Sequence, residues 1–311
     1  MPPTLGHVVV GGGTGFVGSA LCSHLRNKGH AVTVISRQPG PFCMTWGDLS
    51  KNGLPKGVTA VVSLAGQNVL DPLKRWNDEF KQIVVASRIN TTQALVKAIV
   101  AADEKPKVFV ATSGIGYYPP SKTAEYSEDS PGGKGDFFAQ LCTQWEEAAK
   151  LPPSETQVRQ VVIRSGVVLG RHGGMIKQIF APFYLGTGGP IGGGDQYFPW
   201  IQIKDLVRLF THAIENEKAE GILNGVAPEI ITNRQFAQAF GRALWRPAII
   251  PLPSFAVQAV FGAERAKMII EGQKVFPRRT IESGFEYEYP NIQSACQTFN
   301  KLIDMDAALE K

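Results

Sequence analysis

The sequence predicts an α/β fold: a Rossmann-type, doubly wound parallel sheet joined to a smaller, mostly helical C-terminal substrate domain. Three observations support this prediction. The first half alternates short Val/Ile-rich runs with helical patterns, the strand runs are apolar throughout rather than alternating, and a glycine-rich turn separates the first strand from the first helix. Uninterrupted apolar strands alternating with helices are typical of a parallel sheet that is covered on both faces.

The predicted elements follow one another closely in the first half of the chain. The strands are His7–Val10, Ala31–Ile35, Val58–Leu64, Lys107–Thr112 and Gln160–Arg164, and the main helices are Gly18–Lys28, Asp78–Val100 and Phe137–Lys150. In the first helix, apolar residues recur at helical spacing from Phe16 to Leu25. Gly29 then supplies the positive φ that commonly ends a helix.

The composition of the chain changes after Gly170. Six of the nine residues 186–194 are glycine, which indicates a loop or lid. Trp200–Phe210 and Ile222–Val226 predict one more helix and strand of the sheet, whereas Arg234–Leu244 and Ser254–Glu271 predict a helical unit. We therefore expect a nucleotide-binding domain at residues 1–171 plus 200–228, a smaller domain at 172–199 plus 229–299, and a tail at 300–311.

Composition excludes several classes of protein. The 311 residues are 43% hydrophobic and 19% charged with a net charge of +5, which fits a soluble globular protein and excludes disorder. Basic residues are scattered, so no nucleic-acid partner is expected, and no apolar run suggests a membrane partner. The four cysteines are widely spaced, so we expect no metal site and reduced, buried thiols. A strand begins almost at once, which predicts no cleavable signal and a cytoplasmic location, with a mitochondrial one as the alternative.

The glycine-rich turn is the strongest functional signal. Gly12, Gly15 and Gly18 lie between a predicted strand and a predicted helix. In this context one glycine permits the tight turn, another lets a pyrophosphate approach the backbone, and the third lets helix and strand pack closely. The helix N-terminus then presents free N–H groups to the phosphates. The motif predicts a dinucleotide site.

The end of the second strand predicts which dinucleotide binds. An NAD site usually has Asp or Glu there to bind the ribose 2′-hydroxyl. This chain has Ser36 and Arg37 instead, with no carboxylate nearby. A guanidinium binds a 2′-phosphate, whereas a carboxylate repels it. The sequence therefore predicts NADP(H), unless Arg37 is an ordinary surface charge.

Further motifs lie at or after the ends of the remaining strands, at Val62–Gly66, Thr112–Gly114 and Arg164–Gly170. Two more segments contribute: Trp200–Leu206, which precedes a predicted helix, and the C-terminal Glu271–Arg279. With the glycine motif, they resemble the extended short-chain dehydrogenase/reductase superfamily of the nucleotide-sugar epimerase type. More narrowly, the chain resembles its atypical epimerase-family branch of NADP-dependent oxidoreductases, a cell-division-inhibitor-like family. The resemblance covers about residues 7–295.

The resemblance implies roles for individual residues. It places the pyrophosphate against the glycine turn and the adenosine 2′-phosphate at the end of the second strand. The adenosine ribose would lie beside the following strand, and the nicotinamide would lie after the sixth strand. The implied cofactor-binding residues are Gly12, Thr14, Gly15, Phe16, Val17, Gly18, Ser36, Arg37, Leu64, Ala65, Arg88 and Val168. Arg88 is equally compatible with a substrate contact or with an ordinary arginine on a helix surface.

The catalytic pair of the superfamily is absent. Its members usually combine a Ser or Thr with Tyr-x-x-x-Lys, in which the tyrosine moves a proton and the lysine lowers its pKa and holds the ribose. Ser113 fits the hydroxyl position, but Phe138 stands at the tyrosine and Cys142 at the lysine. Phenylalanine has no proton to give, and a neutral thiol cannot replace an ammonium group.

Other residues are candidates for the missing proton donor. Tyr118, with Tyr117 beside it, follows Ser113 and is the preferred candidate, although both tyrosines also suit packing. Glu125, Glu128 and Asp129 precede the Phe138 helix, and His172 begins the glycine-rich region; each also fits a solvated loop. Cys142 as a nucleophile is disfavoured because no histidine can be assigned to it.

Two functions remain open from the sequence. The first is an NADP(H)-dependent oxidoreductase or epimerase that acts on an unknown small metabolite and uses Ser113 and Tyr118. The second is a catalytically silent NADP(H)-binding regulator or sensor, which the Phe138/Cys142 pair favours. A homodimer through Asp78–Val100 is also compatible with the sequence.

Overall fold

The computed structural model describes residues 5–300. The strands are β1 His7–Gly11, β2 Ala31–Ser36, β3 Cys43–Thr45, β4 Val58–Ser63, β5 Val108–Gly114, β6 Glu125–Tyr126, β7 Arg159–Ser165, β8 Val167–Gly170, β9 Trp200–Gln202, β10 Gly221–Gly225 and β11 Lys274–Val275. The helices are α1 Phe16–Asn27, α2 Trp46–Asn52, α3 Asp78–Ala101, α4 Phe137–Ala149, α5 Gly174–Tyr184, α6 Ile203–Glu215, α7 Asn233–Ala243, α8 Ser254–Phe261, α9 Ala263–Ile270, α10 Arg278–Glu282 and α11 Ile292–Gln297.

Seven of the strands form one sheet in the order β10-β7-β5-β4-β1-β2-β3, and every pair is parallel. The strand order reverses at β1, since β2 lies on one side of it and β4 on the other. Ligands of doubly wound sheets bind outside the carboxyl ends of the strands at such a reversal. The predicted Rossmann-type sheet is confirmed.

Helices cover both faces of the sheet because successive strand residues point to opposite sides. On one face Val8 and Val10 pack in a core with Leu21 of α1 and Phe210 of α6. On the other face Val9 packs in a core with residues of α2 and α3. This three-layer arrangement explains why the strand segments are apolar at every position.

The long helix α3 is apolar for a physical reason. Among residues 5–300 it is the one helix whose length and composition alone would suit a membrane span. Leu95, Ala98 and Ile99 are buried in the core beneath the sheet, and Phe80 and Val84 pack near α4. Helices that cover a sheet and a neighbouring helix are apolar over a wide arc, and the burial of these residues accounts for part of the composition here.

A second core lies around β8, β9 and the last third of the described chain. Phe180 and Phe183 of α5 pack against Phe236 and Phe240 of α7, together with Trp200 of β9. The helices of this region are more divided than the sequence pattern predicts. The expected helix Ser254–Glu271 is two helices, α8 and α9, because Gly262 between them has a φ of +78°. The domain boundaries given above stay a prediction.

Asp205 joins α6 to the segment before α11. The carboxylate is fully buried and accepts hydrogen bonds from the backbone N–H groups of Glu288 and Tyr289, each at 2.8 Å. Arg208 contacts the same carboxylate at 3.2 Å. Burial nevertheless raises the pKa of Asp205, because desolvation outweighs these favourable contacts.

We expect Asp205→Asn to lower the free energy of unfolding by about 1–3 kcal/mol. The amide keeps the shape of the carboxylate but replaces one acceptor with a donor, which leaves a buried backbone N–H without a partner. Urea unfolding followed by circular dichroism measures the change. Asp195→Asn is the matched control, since the Asp195 side chain is 83% exposed. Equal unfolding midpoints for the two variants would contradict this role of Asp205.

Candidate functional site

The glycine turn lies at the carboxyl end of β1, where the strand order reverses. Gly12 has a φ of +83°, and a Cβ there would lie 2.7 Å from the backbone of Ala65. A Cβ on Gly18 would lie 2.3 Å from the carbonyl oxygen of Gly12. Only glycine permits both contacts, so the turn, the start of α1 and the end of β4 approach one another closely.

The N-terminus of α1 is open to a ligand. Its N-cap is Gly15, and no side chain caps the helix. A Cβ on Gly15 would meet only the Gly12 carbonyl oxygen, at 3.4 Å, so space lies beyond it. Thr14 and Gly15 are exposed, whereas Val17 is half-buried. Uncapped N–H groups with open space before them are the donor set that a phosphate requires.

Phe16 connects this turn to the segment after β8. Its ring lies beneath three glycines, and a Cβ on Gly170, Gly173 or Gly174 would approach it to 2.7, 2.3 and 3.2 Å respectively. The Val168 carbonyl oxygen lies 3.1 Å from the Cβ position of Gly174. Phe16 and Val168 therefore lie on the same side of the turn, and the glycines let the 170–174 backbone cover the phenyl ring.

Ser36 and Arg37 differ in what they can offer a ligand. Ser36 is buried, and its hydroxyl bonds with the carbonyl oxygen and the N–H of Gln38, which fixes the turn after β2. Arg37 is exposed, and the structure gives it no ion pair within the described residues. Arg37 is thus the cation free to meet a phosphate at the end of β2.

The end of β4 brings Leu64, Ala65 and Gly66 beside the glycine turn. The Leu64 N–H donates to the Gly11 carbonyl oxygen at 2.8 Å, so the loop begins in contact with β1. On its other side, a Cβ on Gly66 would lie 3.1 Å from the Arg88 guanidinium carbon. Arg88 therefore faces this loop from α3 and does not lie on the outer surface of the helix.

Ser113 lies near the end of β5 and is 2% exposed. Within residues 5–300 its Oγ has no nitrogen or oxygen partner, and its contact is with the weakly polar Cys142 thiol. Burial raises the pKa of Cys142 to about 11, so the thiol stays protonated at neutral pH. Ser113 and Cys142 are therefore neighbours, and the thiol has the properties of an inert side chain.

Phe138 is held in an aromatic cluster. Its ring stacks on Trp76 at 5.8 Å between centroids, and Phe137 meets the same indole edge-on at 5.2 Å. The indole Nε1 donates to Glu264 of α9 at 2.6 Å. The residue that aligns in sequence with the catalytic tyrosine is therefore an apolar ring packed against a tryptophan.

Tyr118, the preferred proton donor from the sequence, is fully buried. Its hydroxyl donates to Asn224 Oδ1 at 2.9 Å and accepts from Arg164 Nη1 at 2.8 Å. Burial also raises its pKa, although the guanidinium opposes this. A movement of Tyr118 into the cleft would break both buried hydrogen bonds, so the structure favours the packing alternative that the sequence left open for this residue.

Arg164 anchors that network. It forms a bidentate pair with Glu146 of α4, at 2.8 and 2.9 Å, and its guanidinium lies 3.5 Å from the centre of the Tyr117 ring. The pair is nearly sealed from solvent, with exposed fractions of 4% and 13% for the two side chains. Tyr117 thus packs on a cation.

The remaining candidates from the sequence are dispersed. Glu125 pairs with Lys274 at 2.8 Å, and Asp129 pairs with Arg279. Glu128 is buried, and its Oε1 accepts from the N–H groups of Asn224 and Thr280. His172 is exposed on the loop before α5. These contacts link segments of the fold and bring none of the three carboxylates to Ser113.

Sequence reasoning missed the residues that close the cleft from the C-terminal side. Arg265 is 1% exposed and donates to the Val69 and Asp71 carbonyl oxygens at 3.1 and 3.0 Å, and Glu264 also pairs with Lys81. These partners lie more than 180 residues apart in the chain. No local pattern indicates such contacts; the one available signal is a Glu–Arg pair next to a helix-breaking glycine.

Comparison with known families gives two matches that together cover most of the chain. Residues 8–224 match the NAD dependent epimerase/dehydratase family. Residues 252–299 match a domain of unknown function, DUF1731. The second match covers α8 to α11, including the residues that contact the loop after β4.

The chain is also similar to individual proteins. It is 57% identical over 289 residues to the epimerase family protein SDR39U1 of Bos taurus, which spans 93% of this chain and 97% of that protein. It is 37% identical over 301 residues to the Arabidopsis thaliana protein named as the chloroplastic SDR39U1 homolog, with 93% and 85% covered. The structure is also similar to a crystal structure of human SDR39U1 with NADPH, with a TM-score of 0.93 and 54% sequence identity. The match covers 96% of this chain and 100% of the human chain.

These matches agree with the geometry described above. The family match includes the glycine turn, Arg37, Arg88 and Ser113, and the relatives are similar over nearly their whole length. The chain belongs to the NAD dependent epimerase/dehydratase family, with the extended short-chain dehydrogenase/reductase fold that its sequence resembles.

Proposed function

We propose that the protein binds NADP(H) at the carboxyl ends of β1, β2 and β4. The uncapped N-terminus of α1 supports this proposal, because its N–H groups and dipole suit the pyrophosphate. The similar human protein was solved with NADPH. Around that position the proposal assigns cofactor contacts to Gly12, Thr14, Gly15, Phe16, Val17, Gly18, Ser36, Arg37, Leu64, Ala65, Arg88 and Val168.

Arg37 carries the preference for the phosphorylated cofactor in this proposal. An exposed guanidinium without an ion pair in the described residues loses no internal contact when it binds a phosphate. Ser36 holds the turn in place through its bonds to Gln38 and leaves Arg37 to meet the ligand. A bidentate guanidinium–phosphate contact is among the stronger polar interactions in proteins.

We expect Arg37→Ala to weaken NADPH binding by about 10- to 100-fold, the range for losing a hydrogen bond to a charged group. NADH binding should stay unchanged because NADH has no 2′-phosphate. Fluorescence titration of both cofactors measures this. Arg26→Ala removes another exposed arginine, at the C-terminal end of α1, and serves as the control. Equal weakening of NADPH and NADH would contradict the role given to Arg37.

The reaction that we propose is NADP(H)-dependent oxidoreduction or epimerisation of a small metabolite that carries a carbonyl or hydroxyl group. When bound, the cofactor supplies hydride chemistry. The observation that carries the proposal is the buried Ser113 hydroxyl without a nitrogen or oxygen partner in the described chain. A buried hydroxyl of this kind is unfavourable by itself and is satisfied when a substrate oxygen accepts its proton in a hydrogen bond.

This assignment gives the substrate contact to Ser113 and a positioning role to Tyr118. The Tyr118 hydroxyl already has one donor and one acceptor and lies in a sealed network. Ser113 and Arg164 are paired in register across β5 and β7, so the Tyr118–Arg164 bond fixes the strand beside Ser113. Water or the substrate itself must then supply the proton that the superfamily takes from tyrosine.

We expect Ser113→Ala to lower turnover by about 10²-fold or more, the usual value for a group that assists proton transfer. Tyr118→Phe should leave turnover within a few-fold but lower the thermal midpoint, because it leaves buried polar groups of Arg164 and Asn224 unpaired. NADPH absorbance in a screen of small carbonyl compounds measures turnover. If Tyr118→Phe abolishes turnover without loss of stability and Ser113→Ala does not, the two roles are reversed.

A second candidate is a catalytically silent protein that responds to NADP(H). The Trp76–Phe138 stack favours it, because this stack fills the position of the catalytic tyrosine with apolar rings. NADPH binding that raises the thermal midpoint, combined with no turnover in the substrate screen, supports this candidate. Turnover that depends on Ser113 excludes it.

Partners and location follow from the same proposal. The partner is a small metabolite; nucleic acid and membrane partners are not part of the proposal, and a homodimer is compatible with a groove of about 500 Å³ along α3 and α4. We place the protein in the cytoplasm, with the mitochondrion as the alternative.

A further inference from the structure

Arg88 is a half-buried cation that has no ion-pair partner in the described chain. Within residues 5–300 it forms no ion pair, and its one hydrogen bond is from Nη1 to the Val84 carbonyl oxygen of its own helix, at 3.1 Å. Its guanidinium also lies 5.1 Å from the centre of the Trp145 ring. A guanidinium has five N–H donors, so most of its donors remain available.

Burial lowers the pKa of Arg88 to about 10, and the side chain therefore stays charged at neutral pH. Keeping a charged group out of water without an opposite charge is unfavourable. Proteins normally compensate such a group with a carboxylate, as Glu146 does for Arg164. No carboxylate lies in an ion pair with Arg88 in the described chain, so its guanidinium keeps N–H donors for a bound ligand.

Two small residues make room for the guanidinium. Gly66 leaves the space directly against it, since a Cβ there would lie 3.1 Å from Cζ and 3.3 Å from Nη2. Cys142 lies on the α4 side, close enough that the Arg88 charge lowers the pKa of the thiol against the larger effect of burial. Arg88 thus lies between the loop after β4 and the α4 position at which the superfamily has its lysine.

Ser113 completes the cluster. Its hydroxyl contacts the Cys142 thiol and has no nitrogen or oxygen partner in the described residues. The Arg88 guanidinium reaches the same helix 5.1 Å from the centre of the Trp145 ring, three residues after Cys142 on α4. A serine next to a cation is the arrangement that the superfamily builds with its lysine. In this chain the cation is Arg88 of α3, whereas the lysine position is Cys142 of α4.

We propose that Arg88 replaces the missing lysine: it supplies, from α3 and not from α4, the positive charge that holds the nicotinamide half of NADP(H). Moving the charge to α3 requires a small neutral residue at the former lysine position, and Cys142 is that residue. The inference rests on the proposed function, since it needs a bound cofactor. Arg88 is a cofactor-positioning residue here, and Arg37 acts independently on the adenosine half.

A positive charge at Arg88 is consistent with a neutral residue at position 142. A lysine at position 142 would bring a second cation against the Arg88 guanidinium in a poorly solvated region, and like charges there repel strongly. Cysteine is neutral, short and protonated in this environment. The charge at position 88 and a charge at position 142 therefore exclude each other.

The test compares two probes on Arg88 variants. Arg88→Met should weaken NADPH binding by about 10-fold or more and leave adenosine 2′,5′-bisphosphate binding unchanged, because that probe lacks the nicotinamide half. Arg88→Lys should retain most of the NADPH affinity. Lys97→Met, at an exposed lysine on the same helix, is the matched control. Binding is measured by isothermal titration, and folding by the thermal midpoint.

A charge-relocation variant makes the test specific. Arg88→Met/Cys142→Lys returns the cation to α4 and should recover NADPH affinity relative to Arg88→Met, whereas Cys142→Lys alone should lose affinity through repulsion. The inference is overturned if Arg88→Met binds NADPH like the wild type, or if it loses both probes equally. Failure of the wild type to bind NADPH would instead overturn the proposed function itself.

Discussion

The close approach of three backbone segments is the constraint on which the rest of the structure depends. Gly12, Gly18 and Ala65 meet at distances that exclude any Cβ on the two glycines, so β1, the start of α1 and the end of β4 are held together without side chains between them. This contact directs the free N–H groups of α1 toward the point where the strand order reverses. The positions of Arg37 and Arg88 follow from it, because each extends from an element that β1 or β4 fixes.

A second constraint acts at the other half of the cleft. The Arg164–Glu146 pair joins β7 to α4, and the Tyr118–Asn224 bond continues the network to β10. This network of contacts is buried, and it ties the segment after β5 to β7, β10 and α4.

The sequence predicted the sheet and the glycine turn, because these depend on local patterns of two to eighteen residues. It could not predict that Tyr118 is held by Arg164, since that bond joins residues 46 positions apart through the register of two strands. It also left Arg88 ambiguous: a helical position does not reveal that Gly66 opens space for a guanidinium. Local chemistry is readable from sequence, whereas the pairing of buried polar groups depends on tertiary packing.

The contacts of Glu264 and Arg265 have a consequence for how the chain folds as it is made. They order the loop after β4, yet their partners Trp76, Val69 and Asp71 leave the ribosome almost 200 residues earlier. At ordinary rates of synthesis this interval is roughly 10–40 s. The β1–β4 region can pair its strands during that time, but the wall of the cleft forms only after α9 has emerged, so cofactor binding during synthesis would begin on an open, half-built site.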